Sequence, residues 1–120
     1  MKTVDVNELE NIKGQDLGHS DWMAIEQDRI NQFADATGDH QWIHLDAEKA
    51  AKELPTKSTI AHGFLSLSLI VPLAAQVWLI TGAKMMINYG LNKVRFINMV
   101  PVGSRVRLGV KISEVNKLDN

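Results

Sequence analysis

IAHGFLSLSLIVPLAAQVWLI, residues 60–80, is the longest apolar run in the sequence. A helix rises about 1.5 Å per residue, so a run of this length could span roughly 30 Å of a membrane. Polar residues and a proline interrupt the run, and no cationic cluster precedes it, which argues against a membrane span. The interruptions are His62, Ser66, Ser68, Pro72 and Gln76. We therefore expect a long central helix surrounded by other elements, with a kink or break near Ser68–Val71 because Pro72 lacks a backbone donor.

The sequence that follows the apolar run favours strands. Residues 85–97 are rich in apolar and aromatic side chains and are interrupted at Gly90, so we expect one or two strands with a bend. Residues 101–104, PVGS, predict a turn. From Arg105 to Val115, apolar residues alternate with polar residues and glycine, which predicts a half-buried antiparallel strand. Its apolar face holds Val106, Leu108, Val110 and Ile112.

Ahead of the apolar run, the sequence predicts two helices joined by a loop. Apolar residues recur at helical spacing after Gln27 or Asp28, and Gly38 ends that helix, as a glycine after the last periodic residue commonly does. The other expected elements are an arm or short helix in residues 1–18, a first strand in residues 20–26, a loop in residues 39–44 and a short helix, Ala47 to Leu54, that Asp46 begins and Pro55 ends.

Length and composition indicate a single domain that covers residues 1–120. The chain has 13 Lys and Arg residues against 14 Asp and Glu residues and no basic block, so we expect neither nucleic acid nor a membrane as a partner. The absence of cysteine excludes disulfides and thiolate chemistry, and it is consistent with a cytoplasmic protein. Acidic residues stand where a signal peptide would have an apolar segment, so none is expected.

The segment from Thr37 to His44, TGDHQWIH, brings a carboxylate and an imidazole together beside a glycine. Asp39 and His44 could share a proton, and a neutral histidine next to a carboxylate can act as a base near neutral pH. Each residue also has a simpler interpretation. Asp39 after Gly38 is typical of an Asx turn, and His44 could be a buried histidine bonded to a backbone carbonyl. The residues alone leave both interpretations open.

His62-Gly63 stands near the start of the apolar run. The first N–H groups of a helix have no intrahelical partner, so Gly63 could stabilise a developing negative charge, or the pair could be only a tight helix entry. Ser66 and Ser68 are expected to bond to their own helix backbone. A metal site is a further alternative, but loop histidines without a firm additional ligand are weak evidence, so we expect no metal. The side chains that such a site would use are Asp39, His40, His44 and His62.

Three segments stand in order along the chain: FADATGD at residues 33–39, HLD at residues 44–46 and IAHG at residues 60–63. Together they resemble the signature of the MaoC-like (R)-specific enoyl-CoA hydratase and dehydratase family. The resemblance runs from about Trp22 to Val115. It implies a hot-dog fold, which is an α+β fold in which an antiparallel sheet wraps around a long central helix, and a homodimer.

The resemblance also implies roles for individual residues. Asp39 and His44 correspond to the catalytic pair, and the N–H of Gly63 corresponds to the group that binds the thioester oxygen. At residues 41–42 the family commonly has Asn-Pro, so the bulkier pair here could reshape the acyl pocket. Family members continue past the equivalent of Val115, so we expect the C-terminal strands to be missing or truncated in this sequence. The possible pocket residues are Gln41, Trp42, His62 and Phe64.

The activity that the resemblance implies is reversible addition of water to trans-2-enoyl-CoA thioesters, giving (R)-3-hydroxyacyl-CoA. Asp39 and His44 would hold and deprotonate one water molecule, and the thioester itself would accept the electrons. No cofactor is therefore expected, since coenzyme A is part of the acyl-CoA substrate. Two alternatives remain: a hot-dog acyl-CoA thioesterase, and a non-catalytic module that binds acyl-CoA. The sequence does not specify the acyl chain length.

Overall fold

The computed structural model describes residues 1–118, and these residues group into two compact units. The first unit contains Met1–Asp21, Val71–Asn92 and the chain from Arg107 onward. The second unit contains Trp22–Ile70 and Lys93–Val106. Both units combine short helices with pairs of strands, which confirms the predicted α+β class.

The secondary-structure elements are short. The strands in the described part of the chain are β1 Lys2–Asp5, β2 Asp16–His19, β3 Met23–Ala24, β4 Trp78–Thr81, β5 Arg105–Val106 and β6 Gly109–Lys111. The α-helices are α1 Gln27–Thr37, α2 Trp42–Leu45, α3 Ala47–Glu53, α4 Gly63–Ser68 and α5 Ile70–Val77. A 3₁₀ helix, Val6–Ile12, follows β1.

Backbone pairing in the second unit fixes the chain at the entrance to α4. β3 lies antiparallel to β5. An isolated bridge joins Ile60 to Pro101, and the Ala61 N–H donates to the Val100 carbonyl at 2.8 Å. These bonds hold the backbone that leads directly to Gly63.

Helix α1 confirms the helix predicted before residue 38. Its buried face includes Ile30 and Ala34, which are separated by about one turn. Gly38 ends the helix in the left-handed conformation, with φ +83°, and its N–H donates to the Ala34 carbonyl at 2.8 Å. The N-cap is Glu26, slightly earlier than the expected start.

Residues 39–44, expected as a loop, are only partly irregular. The chain becomes helical at Trp42, which places His44 within the short helix α2. A helix this short shows no periodicity that a sequence pattern could reveal. Helix α3 agrees with the prediction, because Asp46 caps it by accepting a hydrogen bond from the Lys49 N–H at 3.0 Å.

The apolar run 60–80 is not one long helix. Helix α4 ends at Ser68 and α5 begins at Ile70, so the break lies where Pro72 predicted it. Pro72 is in the first turn of α5, where a helix provides no acceptor for a backbone N–H. After α5 the run continues as strand β4, which corrects the expectation of a continuous helix. None of the helices in the described part of the chain has both the length and the apolar character that crossing a membrane requires.

The first unit contains two strand pairs. Strand β1 lies parallel to β4, beginning with Lys2 opposite Trp78. Strand β2 lies antiparallel to β6, with a register shift next to Gly18, which has φ +90°. The arm or short helix expected in residues 1–18 therefore consists of β1, the 3₁₀ helix and β2. Both strands pair with segments distant in sequence, which the local pattern could not show.

Residues 85–97 contain no strand in the structure as described, which corrects the prediction for this segment. Its apolar side chains are largely exposed to solvent: Ile87 is 75% exposed and Ile97 is 85% exposed. Apolar and aromatic side chains favour a strand, but a strand also requires a partner backbone. Within residues 1–118, no segment forms a ladder with this one.

The strand predicted for residues 105–115 is divided into β5 and β6, which pair with different strands. The predicted alternation is confirmed, because Val106, Leu108 and Val110 are half-buried while the residues between them are exposed. The turn predicted just before this segment is also confirmed, with Gly103 at φ +85°.

Candidate active site

Asp39 and His44 lie close together in the second unit. Asp39 follows the left-handed turn at Gly38, and His44 lies on α2. Asp39 Oδ2 and His44 Nε2 are 4.0 Å apart, which is too far for a direct hydrogen bond but allows both atoms to contact one shared oxygen atom. The Asp39 side chain is 49% exposed and the His44 side chain 7% exposed. The pair therefore joins a solvent-accessible carboxylate to a buried imidazole.

The backbone determines which nitrogen of His44 faces Asp39. His44 Nδ1 lies 2.7 Å from the Ile60 carbonyl oxygen. A carbonyl oxygen can only accept, so Nδ1 carries the hydrogen in the neutral ring, and Nε2 keeps its lone pair. This tautomer is assigned from the hydrogen-bond network. The His44 nitrogen that faces Asp39 is therefore the one that can accept a proton.

Gln27 holds the backbone of His44 in place. Its Nε2 donates to the His44 carbonyl at 2.8 Å, and its Oε1 accepts from the Thr59 hydroxyl at 2.7 Å. Thr59 is fully buried. No local pattern in the sequence predicts this arrangement, because Gln27 stands at the start of a helix and its partners lie 17 and 32 residues away.

The Asp39 carboxylate also has a local structural role. Its Oδ1 accepts a hydrogen bond from the Gln41 N–H at 3.3 Å, as in an Asx turn. The Asx turn expected for Asp39 is therefore observed together with the contact to His44. One carboxylate oxygen, Oδ1, makes the turn, and the other, Oδ2, faces His44. The simpler interpretation of His44, a buried histidine bonded to a carbonyl, is likewise observed.

His62 packs against both members of the pair and is buried. Its Nε2 lies 3.1 Å from the Asp39 backbone carbonyl, so this nitrogen donates. Its ring stacks on the His44 ring, with centroids 3.8 Å apart, and meets the Phe33 ring at 4.9 Å. His62 Nδ1 is buried and has no hydrogen-bond partner within the described residues. His62 thus links the Asp39 loop to the imidazole of His44.

Asp39, His44 and His62 each offer one possible ligand atom, and these atoms lie within 4.8 Å of one another. One carboxylate and two imidazoles form a donor set that transition metals accept. A metal ion, however, lies near the plane of each imidazole that binds it, and these two rings are stacked with an interplanar angle of 22°. One ion cannot lie in both planes at bonding distance unless a ring rotates. The observed geometry therefore fits a metal poorly.

His40, the fourth possible ligand considered from the sequence, points elsewhere. Its Nε2 lies 3.1 Å from Asp35 Oδ1, and this hydrogen bond raises the pKa of His40 above the ordinary histidine value. The Gly38 carbonyl and the charge of Asp39 contribute in the same direction. His40 is therefore part of an exposed pair with Asp35, apart from the cluster around His44.

Gly63 is the first residue of α4, where the helix offers no acceptor for its N–H. The ring of Phe96 lies directly over it: a Cβ built on Gly63 would be 2.7 Å from Phe96 Cδ2. A larger residue would therefore fit only if the Phe96 ring moved. Phe64, which is mostly exposed, meets the Phe96 ring edge-on at 5.8 Å.

A cavity of about 420 Å³ is lined by residues from α2, the chain before α4, α4 itself and residues 96–100. Its wall is mainly apolar, and its volume is in the range of small-molecule sites. The lining residues are Ile43, His44, Ile60, Ala61, Gly63, Ser66, Phe96, Ile97, Asn98, Met99 and Val100. The cavity therefore brings together His44 and Gly63, two of the three residues to which the sequence assigned central roles.

The four residues that the family resemblance suggested as possible pocket residues do not line this cavity. Gln41 is exposed, and Trp42 packs beneath the Lys49 ammonium group, 4.4 Å from the ring centroid. His62 lies behind His44, and Phe64 is directed largely towards solvent. Residues 96–100 supply much of the wall instead. The strand prediction covers only residues 96 and 97 of this segment, and no feature of the sequence indicates that residues 96–100 belong to the site.

The two serines of α4 differ from each other. Ser68 confirms the expectation of a bond to its own helix, because its Oγ donates to the Phe64 carbonyl at 2.8 Å. Ser66 does not: its Oγ is buried and has no partner within residues 1–118. Ser66 instead lines the cavity next to Gly63.

The chain is similar to known proteins over nearly its whole length. A sequence model described as MaoC like domain matches residues 8–120. The chain is 51% identical to 3-hydroxyacyl-thioester dehydratase Z from Mycobacterium tuberculosis, and the match covers 100% of this chain and 80% of that protein.

Two solved structures resemble the fold. The unliganded R-hydratase PhaJ1 from Pseudomonas aeruginosa is 30% identical with a TM-score of 0.66, over 89% of this chain and 63% of the other. A monoamine oxidase regulatory protein from Archaeoglobus fulgidus is 25% identical with a TM-score of 0.76, over 89% of this chain and 70% of the other. The chain thus spans somewhat less than two thirds of the length of the solved R-hydratase. It belongs to the MaoC-like domain family and has the hot-dog fold.

Proposed function

We propose that the chain catalyses reversible hydration of trans-2-enoyl-CoA thioesters to (R)-3-hydroxyacyl-CoA. The observation that carries this proposal is the pairing of Asp39 with His44, a residue that lines the same apolar cavity as Gly63. A relative with half of its residues identical is named as a 3-hydroxyacyl-thioester dehydratase, which supports the same class of reaction.

The water would bind between Asp39 Oδ2 and His44 Nε2. In the hydration direction its oxygen bonds to C3 of the enoyl group as one of its protons passes to the pair. The electrons of the C2–C3 double bond move towards the thioester, and C2 then receives a proton from the pair. Dehydration reverses these steps. His44 suits the transfer because its Nε2 is the nitrogen that carries the lone pair, and Asp39 stabilises the imidazolium that forms.

The thioester oxygen gains negative charge while the electrons reside on the acyl group. The Gly63 N–H, which has no acceptor within α4, would donate to that oxygen and stabilise the charge. The thioester is therefore the electron acceptor, so our mechanism needs no metal or redox cofactor. Coenzyme A enters only as part of the substrate.

The proposal is tested by turnover of a panel of trans-2-enoyl-CoA esters of increasing chain length. Hydration removes the conjugated double bond, so the expected result is loss of thioester absorbance, and chiral analysis should identify the (R)-3-hydroxyacyl product. Free thiol release without loss of the double bond would instead identify a thioesterase. Binding of acyl-CoA without any turnover would identify a non-catalytic module, and an (S) product would contradict the assignment of hand.

We also propose a cytoplasmic homodimer. Exposed apolar side chains in the first unit, including Met85, Met86 and Ile87, form a surface that another copy of the chain could cover. Sedimentation equilibrium over a range of concentrations should give a mass near twice that of the chain. A monodisperse monomer at all concentrations would contradict this proposal.

A further inference from the structure

His44 is held at two points, its ring and its backbone, by residues that do not line the cavity wall beside it. At the ring, Nδ1 donates to the Ile60 carbonyl at 2.7 Å. At the backbone, the His44 carbonyl accepts from Gln27 Nε2 at 2.8 Å. Helix α2 has only four residues, and the last carbonyls of a helix have no donor within it, so this carbonyl needs a partner from outside α2. Gln27 supplies that partner from the start of α1.

The bonds of Gln27 fix the orientation of its amide group. A carbonyl oxygen only accepts, so the amide nitrogen faces His44 and the amide oxygen, Oε1, faces Thr59. The hydroxyl of Thr59, which is fully buried, donates to Oε1 at 2.7 Å. Gln27 Nε2 also donates to Oδ1 of Asn31, an exposed residue, at 2.9 Å. The oxygen and both hydrogens of the amide are therefore all bonded.

These bonds close into a ring because Thr59 directly precedes Ile60 in the chain. The ring runs from the His44 imidazole to the Ile60 carbonyl and along the backbone to Thr59. From Thr59 it continues through the Gln27 amide and returns to the His44 backbone. The Val102 N–H donates to the Thr59 carbonyl at 2.9 Å and so anchors this ring to the neighbouring chain. In such a network the imidazole can shift or rotate only if a bond elsewhere in the ring breaks.

We propose that Gln27 and Thr59 are positioning residues for His44 in the hydration reaction. The identity of the reaction rests on the function proposed above. Neither residue is among those that line the cavity, so both act through His44 and not through contact with the substrate. They hold His44 Nε2 at 4.0 Å from Asp39 Oδ2, where both atoms can contact one water molecule. Rates are sensitive to such placement, since a shift of about 1 Å can cost about 100-fold.

Two substitutions at Thr59 separate the effect of its hydroxyl from that of its methyl group. Thr59→Val keeps the shape of the side chain but cannot donate to Gln27 Oε1, whereas Thr59→Ser keeps the donor and loses only the methyl group. We expect kcat for hydration of an enoyl-CoA ester to fall about tenfold in Thr59→Val, the scale of one lost hydrogen bond, with KM near the wild-type value. Thr59→Ser should keep a kcat near that of wild type.

Gln27→Met breaks the same ring at a second point. Methionine is similar in length to glutamine but has neither the N–H nor the oxygen of the amide, so it removes the bonds to both His44 and Thr59. We expect a loss of kcat at least as large as in Thr59→Val, again with little change in KM. Asn31→Ala is the matched control, because it removes the remaining partner of the same amide outside the ring, and its kcat should equal that of wild type.

Nuclear magnetic resonance of the free protein tests the inference without turnover. The Nδ1 hydrogen of His44 is buried and bonded, so with isotope-labelled histidine it should give a ring N–H signal that exchanges slowly with water. Long-range couplings within the ring identify the nitrogen that carries the hydrogen. The signal should persist in Thr59→Ser and Asn31→Ala, and it should weaken through faster exchange in Thr59→Val and Gln27→Met.

The kinetic and spectroscopic results separate this inference from the proposed function. Wild-type kcat in both Thr59→Val and Gln27→Met would overturn the inference, as would equal losses in Thr59→Val and Thr59→Ser. A raised KM at unchanged kcat would also overturn it, because that pattern indicates lost binding of the substrate. If wild type hydrates no enoyl-CoA, the proposed function is refuted, and the His44 ring signal still decides: a signal unchanged in both ring-breaking variants refutes the positioning role, and a signal weakened only in those variants supports it.

Discussion

Asp39 and His44 should behave as one unit, and this can be tested with single and double substitutions. Asp39→Asn keeps the shape of the side chain but removes a proton acceptor, and His44→Ala removes the nitrogen that faces it at 4.0 Å. Each change should lower kcat for 2-enoyl-CoA hydration by about 10²-fold or more, the usual scale for a positioned proton-transfer group. If the residues share one water molecule, the double variant should be little worse than the poorer single variant, whereas independent effects would multiply to about 10⁴-fold.

The structure also predicts how these variants differ in stability. Asp39 is about half exposed, so Asp39→Asn should change the free energy of unfolding little. His44 is buried and bonded to the Ile60 carbonyl, so His44→Ala leaves that carbonyl unpaired and should destabilise the fold by roughly 1–3 kcal/mol. Rates should accordingly be measured well below the Tm of each variant, with thermal unfolding recorded on the same samples.

A matched control is available close to the site. Asp35→Asn removes a carboxylate that pairs with His40 on the surface, and kcat should remain near the wild-type value. Rates like those of wild type in either single variant of the pair would refute the role of Asp39 and His44. Losses that multiply in the double variant would refute the shared water. Reduced rates in the Asp35→Asn control would show that any nearby charge affects kcat, and the rate losses could then not be assigned to the pairing of Asp39 with His44.

The remaining predictions concern residues around the pair. Gly63→Ala places a Cβ 2.7 Å from the Phe96 ring, so we expect kcat/KM for hydration to fall by about tenfold or more. If adding Phe96→Ala restores the rate, the loss comes from the clash with the Phe96 ring and not from a clash with the substrate. His62→Phe keeps an aromatic ring against His44 but cannot donate to the Asp39 carbonyl, so kcat should fall by about tenfold, and an unchanged kcat would exclude a positioning role. Asp35→Asn should lower the pKa of His40 in an NMR titration, because that hydrogen bond is the main cause of its raised value. Because the pKa of His40 is raised in the folded protein, its pair with Asp35 stabilises the fold below pH 6.5, and this contribution is lost as the pH rises through the folded pKa. The prediction is contradicted if the difference in stability between wild type and Asp35→Asn does not change with pH.

Local signals in the sequence predicted the local structure well. The helical spacing before Gly38 predicted α1, and Gly38 predicted its end. Asp46 predicted the start of α3, which it caps. The break in the apolar run was predicted from Pro72 for the same reason: each of these features depends on bonds within a few residues. The single-domain organisation of residues 1–120 stays a prediction.

Features that depend on distant partners were not predicted. Strands β1 and β2 exist because β4 and β6 pair with them, and residues 85–97 show the converse, an apolar pattern without a paired backbone. The site divides in the same way. The resemblance of short local motifs to a known family assigned roles to Asp39, His44 and Gly63, whereas Gln27 and Phe96 contact these residues from positions far along the chain.

The simple structural interpretations of Asp39 and His44 turn out to be conditions for the catalytic one, rather than alternatives to it. Each side chain has two polar atoms and uses one of them to hold the fold: Asp39 Oδ1 binds the Gln41 N–H, and His44 Nδ1 binds the Ile60 carbonyl. These bonds fix the orientation of both groups, so the second atoms, Asp39 Oδ2 and His44 Nε2, must face each other across 4.0 Å. The bond to Ile60 also selects the tautomer, because it keeps the hydrogen on Nδ1 and leaves the lone pair on Nε2. A histidine without that carbonyl partner could rotate or change tautomer, and the pair would lose the geometry that proton transfer to a shared water requires.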